Sequence, residues 1–103
     1  MDGIIRIDKV VAEFDAWLDP TLFPFPKMRV KVLQRSSNDF MAISNLRRRN
    51  AVTREPEGTV GLGSSVTESL DDLFKRFVSD VKENAPPGGL VEDDFEWSAC
   101  EDF

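Results

Sequence analysis

From residue 7 onward, apolar side chains return at intervals of three and four. They are Ile7, Val10, Val11, Phe14, Trp17 and Leu18, with Asp8, Lys9, Glu13 and Asp15 between them. That spacing predicts an amphipathic helix over residues 6–18. Asp19-Pro20 closes it, because the residue before a proline is driven out of the α region. Its beginning, Ile4-Ile5-Arg6-Ile7, also fits a short strand. Pro20, Pro24 and Pro26 among Leu22, Phe23 and Phe25 predict an irregular apolar crossing, since proline cannot donate to a ladder. At Lys27 the period changes to two. Met28, Val30 and Val32 face one way and Lys27, Arg29 and Lys31 the other, as in a half-buried strand. A polar turn over residues 35–39 and a second strand, Phe40 to Leu46, complete a hairpin. Arg47-Arg48-Arg49-Asn50 prolongs that strand or opens the next loop. Residues 51–57 read as a loop and residues 58–63 as a short third strand.

The clearest pattern lies beyond. Ser65-Val66-Thr67-Glu68 has the form of a capping box, in which Ser65 accepts from the Glu68 amide and Glu68 reaches back to Ser65. Val66, Leu70, Leu73, Phe74, Phe77, Val78 and Val81 then form one stripe. They predict a long helix over residues 66–83, supported by the i,i+4 pairs Asp71–Lys75 and Asp72–Arg76. Pro86-Pro87-Gly88-Gly89 ends it. After this linker, Phe95, Trp97 and Ala99 alternate with Glu96, Ser98 and Cys100, so the tail is either a strand or a mobile acidic-aromatic segment. The expected fold is α+β. It has a small antiparallel sheet of about three strands, with a fourth if the tail packs, covered on one face by an N-terminal helix and the long helix. Residues 1–85 form the domain and residues 86–103 the linker and tail. The long helix is expected to cover Met28, Val30 and Val32, leaving the lysine and arginine face open.

The hairpin-to-helix segment resembles the N-terminal domain of HicB-like antitoxins over residues 28–81, about half of the chain. The likeness rests on Val30 to Val32, on Phe40-Met41-Ala42-Ile43-Ser44-Asn45-Leu46 and on Gly61-Leu62-Gly63-Ser64-Ser65-Val66-Thr67-Glu68-Ser69-Leu70. That family shows a hairpin, a third strand ending near a glycine, and a capped helix of the form Gly-x-T-x-E-E-A-L. Ser65, Glu68 and Leu70 match the cap, the acid and the first core leucine. Ser69 replaces the alanine, and Thr67 replaces one acid. The resemblance implies a sheet-plus-helix fold and an antitoxin-like role.

Charge sharpens the functional question. The net charge of −6 hides eight Lys/Arg against one acid between residues 27 and 54, and three bases against 13 acids from residue 55 onward. Such asymmetry speaks about partners. The chain has no His and one Cys, Cys100. The usual general base near neutral pH, Ser-His and Cys-His pairs, disulfides and a thiolate zinc site are therefore removed. Gly61-Leu62-Gly63 lacks the third glycine of a dinucleotide loop, because position 66 is Val66. The acids Glu92, Asp93, Asp94 and Glu96 do not have EF-hand spacing. The reading is a non-enzymatic protein with no metal and no cofactor. With 41% hydrophobic residues and no apolar run of membrane length, it is expected to be a soluble cytoplasmic domain with no membrane partner.

Three roles are consistent with this pattern. In the first, the chain binds and neutralises a protein partner, such as a basic toxin or nuclease, as an antitoxin, immunity protein or inhibitor does. Glu92, Asp93, Asp94, Phe95, Glu96 and Trp97 then mimic a polyanion with aromatic anchors. In the second, Lys27, Arg29, Lys31, Arg47, Arg48 and Arg49 bind nucleic acid, with the tail as an internal competitor. In the third, a sheet edge pairs two copies in a structural homodimer. The economical expectation is that the positive and negative halves meet each other, within one chain or across a dimer.

Overall fold

Lys9–Trp17 is a strand, β1, where the apolar spacing predicts a helix. The cause is a β-bulge. Val10 lies opposite Leu33, but Ala12 lies opposite Val32, with Val11 inserted between. An extra residue shifts the alternation of a strand by one. Helix-side positions are therefore odd before Val11 and even after it; Ala12, Phe14 and Ala16 take that side and Val10 and Trp17 the other, so the spacing near 3.6 mixes apolar residues from both faces of a strand. The computed structural model describes residues 2–103.

β1 is the edge of a four-stranded antiparallel sheet with β2 (Lys27–Ser36), β3 (Asp39–Ser44) and β6 (Val60–Gly63), in the order β1-β2-β3-β6. The predicted hairpin is β2–β3, closed by an Arg35–Asp39 ion pair at 2.8 Å. The second hairpin strand does not run on to Leu46. At Asn45 the chain leaves the main sheet: the Asn45 amide donates to the Arg29 carbonyl, and its Oδ1 accepts from the Arg29 amide at 2.9 Å. The chain then forms β4 (Leu46–Arg49). A second, three-stranded sheet has the order β5-β4-β7, with β5 at Pro56–Glu57 and β7 at Phe95–Trp97. The predicted loop over residues 51–57 thus contributes a short strand. The tail is ordered as a strand, but in the second sheet and not beside the hairpin.

α1 spans Val66–Asn84. Its Ser65 cap accepts from the Glu68 amide at 3.1 Å, but the Glu68 carboxylate bonds the Ser64 amide and hydroxyl, not Ser65. Of the two i,i+4 pairs, Asp72–Arg76 forms at 3.0 Å. The helix buries Ser69, Leu73, Phe77 and Val81, which meet Met28, Val30, Val32, Ala42 and Leu46. It therefore covers the face that the alternation predicts. Phe23 from the proline crossing and Phe95 from the tail complete the same core, so the segment after residue 85 is packed into the fold and does not hang from it. Phe23 stands edge-on to Phe77 at 5.7 Å.

Four carboxylates tie local structure to pH. Glu68 is held below its ordinary range by the Ser64 hydroxyl and then its amide. Asp72 is held down by the Leu62 amide and then Arg76, Asp94 by the Val91 amide, and Asp19 by the Thr21 hydroxyl and amide. A carboxyl lowered in the folded state contributes stability above its unfolded value, and that contribution disappears as pH falls through the lowered one. The melting temperature is therefore expected to be level from pH 7 to pH 5 and to decline below about pH 4. Scanning calorimetry across that range checks this; a level curve down to about pH 2 would contradict it.

Candidate functional site

The acidic tail and the basic hairpin exit, which sequence places far apart, lie against each other. On β4, Leu46 and Arg48 point toward the core while Arg47 and Arg49 point away, as alternation requires. Glu96 of β7 sits directly across from Arg47 and reaches both Arg47 and Arg49 at 3.5 Å. Arg54, at φ 64°, pairs with Asp93 at 3.3 Å and Asp94 at 3.2 Å. Lys31 donates to the Phe103 carbonyl and stands 4.6 Å from the centre of its ring. On the face of Lys27, Arg29 and Lys31, the first two stay exposed, as the alternation predicts, and Lys31 is half-buried. β1 supplies Asp15 to Lys27 at 3.5 Å and to Arg29 at 3.7 Å, and Lys27 lies over Trp17.

The six tail residues expected to bind a partner separate by environment. Phe95 is 4% exposed and belongs to the core, edge-on to Phe25. Glu96 and Asp94 are engaged as described, and Asp94 also accepts from the Val91 amide at 2.8 Å. Trp97 is half exposed and edge-on to Phe25 at 4.9 Å. Glu92 and Asp93 remain at the surface.

Arg48 differs from its neighbours and is no part of a basic surface. Its side chain is 7% exposed, and its guanidinium grips Asp80 of α1 through two bonds of 2.6 and 3.0 Å, with Glu57 at 3.5 Å. Removing one partner of a buried pair strands the other charge, whereas replacing both partners by apolar groups removes the need for compensation. Asp80→Ala is expected to cost about 2–3 kcal/mol, at the low side because Asp80 is partly exposed and Glu57 stays near. Arg48→Met combined with Asp80→Leu should cost less than Asp80→Ala alone. Urea denaturation of the two variants checks the order, and a larger loss for the double variant would reverse the account.

The surface left unsatisfied lies on the other side of the molecule. α1 lies closest to β6, then β3, and its backbone is farther from β2, so β1 projects past it. Between them runs an apolar groove of about 490 Å³, lined by Phe14, Trp17, Leu22, Leu70, Phe74 and Val78 among others, with Asp15 and Asp19 as its only ionisable groups. Phe14 is 40% exposed and Trp17 73%. A groove of this size and apolar lining matches ordinary binding clefts. These residues escape a reading of the sequence because a helix over residues 6–18 would bury Phe14 and Leu18 on its inner stripe. The alternation Glu13, Phe14, Asp15, Ala16 beside β-branched Val10 and Val11 is the signal that points to a strand instead.

The two edges of the main sheet are treated differently. On β6 the Leu62 amide donates to Asp72 Oδ2 at 2.8 Å, so a helix side chain closes that edge. β1 pairs with β2 alone and has no such cover. Among the described residues, no three His, Cys, Asp or Glu side chains are grouped to hold a metal ion, and no helix is long and apolar enough to cross a membrane.

These features define a small α+β domain of two antiparallel sheets and one long helix, with the basic middle paired to the acidic tail and an apolar groove turned outward. Compared with protein-family models, curated proteins and solved structures, the chain finds no match. The likeness of residues 28–81 to the HicB-like antitoxin domain rests on those residues alone.

Proposed function

We propose that this chain is an interaction protein that binds a protein partner along the groove between β1 and α1. By covering a segment of that partner it neutralises it, in the manner of an antitoxin, immunity protein or inhibitor. The observation that carries the reading is the groove itself: a continuous apolar cleft beside an unpaired strand edge in a chain whose charged side chains are largely paired internally. The ionisable group at its rim that is not paired with a basic side chain, Asp19, and the net charge of −6 favour a partner segment that is apolar with a basic flank. In the tail, Phe95 and Glu96 are committed to the fold, which leaves Glu92, Asp93 and Trp97 at the surface. For the same reason the nucleic-acid reading is the weaker one, since Arg47, Arg49 and Arg54 already face tail carboxylates.

The test places a photo-cross-linking benzoyl-phenylalanine at Phe14, which lies on the groove side of β1 and is 40% exposed, so it can be replaced without disturbing the core. Irradiation in native lysate is expected to give a discrete protein adduct, and Phe74→Glu in the same chain should abolish it while leaving a cooperative melting transition. A chain that gives no discrete adduct, or an adduct indifferent to Phe74→Glu, would refute the groove as a docking surface.

A further inference from the structure

Three isoleucines stand unpacked just before β1. Ile4, Ile5 and Ile7 are 54%, 103% and 69% exposed, and residues 4–8 belong to no strand or helix. Isolated exposed apolar residues are ordinary, but a cluster beside an open strand edge is a template for pairing. The same molecule therefore carries an apolar segment without a cover and an apolar groove without an occupant.

We infer that the groove is closed by a second copy of this chain, whose residues 4–8 add antiparallel to the free edge of β1. This rests on the groove being a docking surface, and it makes the second copy the resting occupant, which the protein partner proposed above has to displace. Two features of the strand favour self-pairing. The first is the face that each side chain takes. Lys9 lies opposite Gln34 and Ala12 opposite Val32, so Lys9 shares the helix side with Ala12, Phe14 and Ala16. Continued as a strand, Ile7 and Ile5 fall on that side too. Residues opposite one another in an antiparallel pair share a face. The bulge at Val11 therefore lets the copy's Ile7 come beside Phe14 and its Ile5 beside Ala16, on the groove side.

The second feature is charge. The early half of the segment carries Arg6, Asp8 and Lys9, and the later half carries Glu13 and Asp15. A two-fold axis sets the more basic half of each copy against the acidic half of the other, as an isologous interface requires. The register that seats Ile7 by Phe14 also sets Arg6 opposite Asp15. Asp8 then comes opposite Glu13, with its own charge offset by Arg6 at 3.1 Å. The other edge cannot serve in this way, because Asp72 already holds the Leu62 amide.

Light scattering on the eluting full chain, over a range of loading concentrations, tests the inference. The wild type is expected to be a dimer. Ile5→Asp with Ile7→Asp, both outside any element, should raise its dissociation constant by about 100-fold or more. Val52→Asp, at an exposed apolar site away from β1, should leave it unchanged. A wild type that is monomeric throughout, or a dimer that the isoleucine variant does not weaken, overturns the inference. If the chain is monomeric while the cross-linker at Phe14 captures a different protein, self-pairing fails and the docking surface stands. If the cross-linker captures nothing as well, both fail.

Discussion

Phe95→Ala is expected to lower stability by about 3–5 kcal/mol, the loss of a large buried aromatic together with the cavity it leaves. The side chain is 4% exposed, edge-on to Phe25 at 5.7 Å and tilted against Phe23 at 6.2 Å. Phe23 in turn meets Phe77 on the helix. The ring therefore joins the end of the chain to both the proline crossing and α1. Removing it should also loosen β7, and with it the contacts of Glu96 to Arg47 and Arg49. Urea denaturation gives the value directly. A loss below about 1 kcal/mol would mean that the tail is an appendage and not a part of the core. Glu96→Gln is a useful contrast, because pairs this exposed contribute little. Together the two variants separate what the aromatic does from what the charge does. They also warn that deleting residues 90–103 would remove a core residue, so it tests folding before it tests partner binding.

The second large effect is expected at Gly61. A Cβ built there overlaps the Ser69 carbonyl oxygen and the Leu73 amide nitrogen, and at Gly63 one would lie 2.6 Å from the Ser69 nitrogen. The obstacle at Gly61 is helix backbone, which cannot rotate out of the way. β6 and α1 approach so closely that glycine on one side and the small, fully buried Ser69 on the other are both required. Gly61→Ala should therefore cost about 3 kcal/mol or more, at or above the upper range for overpacking. For a chain of this size that corresponds to a fall in Tm of more than about 10 °C. Gly58→Ala is the control: the nearest atom to its Cβ is Arg47 Cδ at 3.8 Å, so it should change stability by less than about 1 kcal/mol. Equal melting temperatures for the two variants would show that the close approach is not as described.

Much of the fold is legible in local pattern. The alternation from Met28 to Val32 identifies β2 and its buried face, because a strand puts successive side chains on opposite sides whatever surrounds it. Ser65 followed by Glu68 and a stripe from Leu70 to Val81 identifies α1, because capping and amphipathicity are properties of one segment. The candidate site was legible only in fragments. Sequence reasoning placed binding on the tail, where acids and aromatics lie side by side. Phe95 is instead a core residue, and Glu96 serves Arg47 and Arg49. The groove went unread because its two walls, Phe14 with Ala16 and Leu70 with Phe74, are far apart in the chain.

By itself, then, the sequence determined the elements whose signal is contained within them: the β2–β3 hairpin, the capped helix, the turn chemistry, and the division into basic middle and acidic end. Only the tertiary structure decided three further things. It made residues 9–17 a strand, since apolar residues on both faces of a bulged strand imitate helical spacing and only pairing with β2 reveals it. It turned the opposite charges of middle and tail toward each other across the β4–β7 ladder. It left one sheet edge and the groove beside it uncovered, because how far a helix extends over a sheet is set by the close packing at Gly61 and Ser69, which no local pattern contains.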